Sequence, residues 1–250
     1  MKFAFSTLVA PQSDFQLLAG RARELGYDGV ELVALPENPV EVRNNFASAG
    51  IAVACLGAPI TMPAKRGARV AASGELRRWI DAAHCLGCAR VKIPGFLARA
   101  GQTGNTAAAG LVKWLLPVAD FAAEHGVTIV VENALSFRTS RELWMLLESI
   151  NHPNVAACWD LSNAFAASES PFVSVPCLNS RIQYARVQYC EPGEGKLPVE
   201  NFLTRLRGIG YGGYVTVDAP DALLPDAIGK LRAWTKPPQT TAARKPAAAH

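Results

Sequence analysis

Residues 126–133, Gly-Val-Thr-Ile-Val-Val-Glu-Asn, constrain this chain more than any other stretch. An apolar run that ends abruptly in a carboxylate and an amide reads as a strand covered on both faces, with polar chemistry at its C-terminal tip. Three further apolar runs behave in the same way: 155–160 closes in Asp160, 182–188 carries Arg186 and Gln188, and 214–218 closes in Asp218. If these strands are parallel neighbours, Glu132, Asp160, Arg186 and Asp218 converge on one end of a barrel.

The intervening segments read as helices. Residues 15–25 place Phe15, Leu18, Ala22 and Leu25 at helical spacing after a Ser13-Asp14 cap, and Gly26-Tyr27-Asp28-Gly29 ends that helix and opens a strand at 30–33. Helices over 38–50 and 74–85 bracket a strand at 51–56. A fourth strand at 90–93 runs into a Pro94-Gly95 turn, and a long helix follows over 106–126. Thr139-Ser140-Arg141-Glu142 resembles a capping box ahead of 143–150, and His152-Pro153-Asn154 turns the chain into the sixth strand. Helices over 199–209 and 222–234 flank the eighth.

Eight strand-like runs alternating with helices predict one α/β domain, a (β/α)8 barrel over residues 1–235, and 250 residues is the length such a barrel needs. Residues 166–179, which contain Pro171 and Pro176, read as an irregular part of the rim. From 236 to 250 the composition turns to Pro, Ala, Thr and Lys without periodicity, which predicts a disordered tail.

Composition excludes several function classes. Hydrophobic residues make up 50% and charged residues 18%, enough for a substantial core. The net charge of +4 includes Lys236, Arg244 and Lys245 in the tail, so the barrel itself is nearly neutral and carries no basic stripe for nucleic acid. No apolar run approaches the roughly 20 residues of a membrane helix. Six scattered cysteines without a leader predict free thiols in a reducing, cytoplasmic setting. His84-Cys85-x-x-Cys88 ends an amphipathic helix with no second ligand pair at zinc spacing, so buried thiols are expected there.

With the strand tips placed, the chain resembles the xylose isomerase-like barrel superfamily, a group of sugar phosphate isomerases and epimerases that also includes inosose dehydratases and endonuclease IV. The carriers are Gly26-Tyr27-Asp28-Gly29-Val30-Glu31-Leu32, Val131-Glu132-Asn133, and His152-Pro153-Asn154-Val155 running to Trp159-Asp160. Gly193-Glu194-Gly195, followed by 206–213 before the last strand, completes the pattern.

The resemblance implies a sugar, sugar-acid or polyol substrate, and dimers or tetramers are common in the group. It also implies a divalent cation, Mn2+ or Mg2+, held by Glu, Asp, His and Glu at the tips of strands five to eight. Those places fall on Glu132, Asp160, Arg186 and Asp218, and Asn163 stands where many members carry a second histidine.

Arg186 departs from that pattern. A guanidinium stays protonated, offers only donors and repels a divalent ion, so the reading without a metal stands beside the reading with one. A metal would need Asn163, Gln188 or water to complete its shell. His84, His125 and His152 lie at helix ends or turns away from the active end, and His250 lies in the tail, so none replaces the missing imidazole.

The expected chemistry is proton transfer next to a carbonyl, with Glu132 and Asp218 as the acid/base pair. Asp160 is a ligand or orienter, and Arg186 binds an anion or steadies an oxyanion. The bland alternative makes Arg186 part of a closed ionic cluster with Asp160 and Glu132. Lys92 lines the same mouth or is a solvated rim lysine, and Glu31 belongs either to the site or to a structural hydrogen bond. Beside the isomerase reading stand a metal-independent lyase or dehydratase and a non-catalytic barrel that binds a small polar ligand.

Overall fold

The computed structural model describes residues 1–8, 14–61, 63, 66–95, 104–189 and 197–235, with 66 and 104–107 described by their backbone alone. Ser13, Cys190, the Gly193-Glu194-Gly195 turn, His250 and the tail at 236–250 lie outside these residues. Eight parallel strands close into a barrel in sequence order: β1 Lys2–Ser6, β2 Gly29–Leu32, β3 Ala52–Gly57, β4 Arg90–Ile93, β5 Thr128–Glu132, β6 Val155–Asp160, β7 Ile182–Gln188 and β8 Tyr214–Asp218. The last strand pairs with the first, Phe3 opposite Val215 and Phe5 opposite Val217.

Helices α1 Phe15–Leu25, α2 Pro39–Ala49, α3 Arg66–Leu86, α4 Gly104–Glu124, α5 Ser140–Ile150, α6 Leu161–Ala166, α7 Pro171–Leu178, α8 Val199–Gly208 and α9 Leu224–Thr235 surround it. Local chemistry sets their ends. The Asp14 carboxylate accepts from the first turn of α1, and Gly26 closes that helix at φ 78°. Thr139 and Glu142 form the expected capping box on α5.

Side chains alternate along each strand, so the barrel has two cores. Outward residues such as Val30, Leu32, Val91, Ile129, Val131, Trp159, Val187, Val215 and Val217 pack with the helices in one large cluster. Inward residues Ala4, Ala54, Cys55, Val130, Ala156, Cys158, Tyr184 and Tyr214 form a second, smaller one. Two positions further along the inward parity lie Glu132, Asp160, Arg186 and Thr216, and four beyond Tyr214 lies Asp218. The apolar plug therefore gives way to charge at the C-terminal end of the strands.

Two expectations need correction. The stretch expected to be irregular at 166–179 contains a true helix, α7: Pro171 sits at its first turn, where no donor is needed, and the Ser170 hydroxyl caps it. Only Pro176 interrupts its hydrogen bonding. Helix α3 also begins at Arg66, well before residue 74, and carries Gly67 and Gly74 within it although each costs about 1 kcal/mol relative to alanine.

Candidate active site

Six ionisable side chains from six different strands meet at the C-terminal mouth: Glu31, Lys92, Glu132, Asp160, Arg186 and Asp218. Strand register brings them together, since Asp160 lies opposite Arg186, Arg186 opposite Thr216, and Gln188 opposite Asp218.

Arg186 is the centre. Its Nη1 donates to Glu132 Oε1 at 3.0 Å and lies 3.9 Å from Asp160 Oδ2, and its Nη2 donates to Asp218 Oδ2. Its Nε stands 3.6 Å from Glu31 Oε2 without a hydrogen bond. Lys92 Nζ reaches Glu31 Oε1 at 3.2 Å and Glu132 Oε2 at 3.5 Å.

Beneath them Glu31 is 0% exposed. It also accepts from the Tyr184 hydroxyl at 2.8 Å and from Ser6 Oγ at 3.4 Å, and Tyr184 shares a further hydrogen bond with Thr216. The absence of a side chain at Gly57 makes this packing possible, because a Cβ there would lie 3.3 Å from Glu31 Oε1 and 3.5 Å from the Lys92 stem.

The electrostatics follow from burial and pairing. Burial pushes the Glu31 carboxyl up, but Lys92, Arg186 and the Tyr184 hydrogen bond outweigh it and leave the group below its ordinary value. Lys92 and Arg186 are both driven upward: burial opposes their charge, and Glu31 leads the carboxylates that overcome it. Asp160 goes the other way. Burial, together with the neighbouring Glu132 and Asp218, lifts it to about 6 despite Arg186 and a backbone hydrogen bond from Asn163. Asp218 is also raised, by burial first, although Arg186 pulls it down.

Asp160 divides its work. Oδ1 caps α6 by accepting from the backbone N–H groups of Ser162 and Asn163, and Oδ2 faces Arg186. The wholly buried Asn133 clamps the same tip, donating from Nδ2 to the Asp160 carbonyl at 2.9 Å and accepting the Asp160 N–H on Oδ1. At the neighbouring tip, a Cβ on Gly95 would lie 2.2 Å from the Ala134 carbonyl oxygen, so the β4 turn is pressed against the end of β5.

The structure thus gathers six of the expected site residues and leaves two outside the cluster. Asn163 lies on α6, half-buried, and Gln188 lies exposed past the mouth on β7. Lys92 is a correction to the solvated-rim reading, being 7% exposed and paired with two carboxylates. The reading of Arg186 as a free anion-binding fork also changes. The side chain is enclosed, and both terminal nitrogens already donate to carboxylates.

Ser6, Tyr184, Thr216 and the clamping role of Asn133 escaped the sequence reading. Their signal was parity, since each of the first three shares the inward face with a recognised site residue. At the opposite end, His84 Nδ1 faces the His125 carbonyl, and His152 pairs with Asp120. Of the adjacent thiols, Cys88 is buried but Cys85 is exposed, which corrects the expectation for that one.

A divalent metal does not fit these donors. Both Glu132 oxygens face cations, one Asp160 oxygen is committed to a helix cap, and one Asp218 oxygen is held by Arg186. Among the described residues no three His, Cys, Asp or Glu side chains stand where they could hold an ion together. A divalent ion about 4 Å from the guanidinium would meet repulsion of about 8 kcal/mol at an effective dielectric of about 20.

No curated protein sequence matches the chain. Its fold is similar to that of D-psicose 3-epimerase from Clostridium cellulolyticum H10, solved with D-tagatose: TM-score 0.84, 16% identity, covering 95% of this chain and 100% of that one. It is similar also to 3-keto-D-glucoside 4-epimerase from E. coli, at TM-score 0.83 and 16% identity over 93% of this chain and 99% of that one. D-allulose 3-epimerase from Methylomonas sp., in complex with D-allulose, gives TM-score 0.80 and 19% identity over 93% and 96%. At these identities the likeness establishes a shared fold. The sequence profile described as a xylose isomerase-like TIM barrel matches residues 19–237, most of the chain. With its closed eight-stranded barrel and its charged mouth at the strand tips, the chain belongs to the xylose isomerase-like TIM barrel family.

Proposed function

We propose that this barrel is a sugar isomerase or epimerase that moves a proton at a carbon next to a carbonyl. The observation that carries the reading is the pair Glu132 and Asp218. Both lie at the C-terminal end of the barrel, Glu132 buried and Asp218 half-buried, and they flank the same guanidinium on its two terminal nitrogens. A substrate carbon over Arg186 would lie between two carboxyl groups, the arrangement that proton removal from one side and return from the other requires. Burial raises the Asp218 carboxyl above its ordinary value, and a fixed guanidinium steadies negative charge as it develops on the carbonyl oxygen. The fold it shares with psicose, allulose and keto-glucoside epimerases favours a sugar as the ligand.

The test is deuterium wash-in. Ketoses and their epimers are incubated with the protein in D2O, and exchange at the carbon beside the carbonyl is followed by NMR. A substrate in the panel should exchange, and Glu132→Gln and Asp218→Asn should each slow it by about 100-fold or more. Exchange unaffected by both substitutions overturns the assignment.

A second reading rests on the enclosure of Arg186, which is 3% exposed. In it the ionic cluster is complete without a ligand and the barrel binds a small polar molecule without turnover. Sugar binding by calorimetry with no wash-in for any sugar selects that reading. Loss of water or another leaving group during incubation, seen in the same spectra, selects a lyase.

A further inference from the structure

Four carboxylates and two cations share the mouth, and they are not arranged evenly. Glu31 and Glu132 each contact both cations, and of the two Glu31 is wholly buried on the core side. It is held there by Tyr184 and Ser6. Glu132 meets both cations, and Asp160 and Asp218 meet Arg186, from the open side. Lys92 and Arg186 together carry two positive charges, as a divalent ion would, at the point where those three carboxylates converge.

We propose that Arg186, braced from behind by Glu31 and Lys92, is a built-in cation that occupies the position of a divalent metal ion, so that the mouth binds no such ion and meets its ligand's oxygens with a guanidinium. The proposal rests on the reading of this mouth as the ligand site. Glu31 and Lys92 are positioning residues in it, since they reach the mouth only through Arg186 and Glu132.

The oxygens a metal would need are already engaged. One acceptor is not. Asp218 Oδ1 is buried and without a hydrogen-bond partner, next to the guanidinium that holds its other oxygen. A buried, unpaired carboxylate oxygen calls for a donor. A ligand hydroxyl supplies one, whereas a phosphate or carboxylate oxygen brings only lone pairs and a like charge. The open acceptor therefore favours a neutral hydroxylated ligand whose hydroxyl donates to Asp218.

The experiment reads metal binding without any substrate, so its failure is separate from failure of the isomerase reading. The full chain is stripped with a chelator, dialysed against Mn2+, and examined by equilibrium binding, EPR and melting temperature. The wild type should take up no stoichiometric Mn2+ and should melt at the same temperature with Mn2+ or with chelator. Arg186→His removes the fixed charge and offers an imidazole nitrogen among Glu132, Asp160 and Asp218. It should raise Mn2+ affinity at least about 100-fold, to about one equivalent bound, and the gain should vanish when Asp218→Asn is added.

Arg186→Met, which keeps an aliphatic stem and removes the charge, serves where the histidine variant does not fold, and it too should gain Mn2+. One equivalent of Mn2+ on the wild type, lost in Asp218→Asn, overturns the proposal. So does a folded Arg186→His or Arg186→Met protein that binds Mn2+ no better than the wild type.

Discussion

At the C-terminal mouth of the barrel, charged side chains point at one another, and Glu31, Lys92 and Arg186 are almost wholly removed from water. At the opposite end, Arg90 donates Nε to the Gln183 carbonyl, the Tyr211 hydroxyl donates to the Tyr214 carbonyl, and the Nε2 atoms of His125 and His152 face exposed aspartates. The floor is held by isolated hydrogen bonds to backbone carbonyls and by packing, each replaceable at modest cost. At the mouth the charges depend on one another, and removal of Glu31, which sits against both cations, leaves them facing each other uncompensated. A barrel that needed charge only for stability would have little reason to concentrate it at the end where loops and ligands meet.

The largest expected effect breaks this comparison if it fails. Glu31→Gln leaves Lys92 and Arg186 facing each other without the carboxylate between them, and it should cost about 3–5 kcal/mol in chemical denaturation. Arg90→Met at the floor gives up a hydrogen bond and should cost about 1–1.5 kcal/mol. Equal losses would show that the two ends are built alike.

Gly95→Ala tests the tip of β5 without touching a charge. Its new methyl would collide with the Ala134 carbonyl, so the β4 and β5 tips must move apart, with a loss of about 1–3 kcal/mol by thermal unfolding and reduced ligand binding.

Asp160→Asn sharpens the electrostatic side. The folded-state value of about 6 is above the unfolded value of 3.8, so the native protein holds this proton more tightly than the unfolded chain does. Stability contributed by the protonated group is fully present below about pH 4 and lost as pH rises through about 6. Asparagine keeps the oxygen that caps α6 and cannot ionise. The variant should therefore be more stable than the wild type at pH 7.5, by at most about 3 kcal/mol, and the advantage should vanish below pH 4. Denaturant melts of both proteins across that range check the sign, and an advantage independent of pH would refute the cause.

Smaller effects are expected away from the mouth. Thr139→Ala removes half of the capping box on α5 and should cost about 1 kcal/mol. Arg21→Ala breaks an exposed ion pair with Asp221 and should change stability by less than about 0.5 kcal/mol.

Much of this was legible before folding. Burial on both faces writes a strand as a continuous apolar run, and the point where the run stops in Glu132, Asp160 or Asp218 is the barrel's rim. Capping followed from single residues, Asp14 and Thr139. Helix α7 was less legible because Pro176 reads as a breaker, although Ser170-Pro171 starts a helix. Lys92 and Glu31 were ambiguous for a different reason: each sits on a short strand of only four residues, too short for alternation to state its inward parity.

The sequence by itself determined the eight strands, their order, and the carboxylates that close the fifth, sixth and eighth, because period and punctuation are local properties of a chain. Only the tertiary structure decided that Glu31 braces both cations, that Tyr184 and Thr216 join it, and that Arg186 is enclosed by carboxylates. Those contacts depend on the stagger with which eight strands close on themselves. That stagger sets which tips come within a few ångströms of one another, and no single strand encodes it.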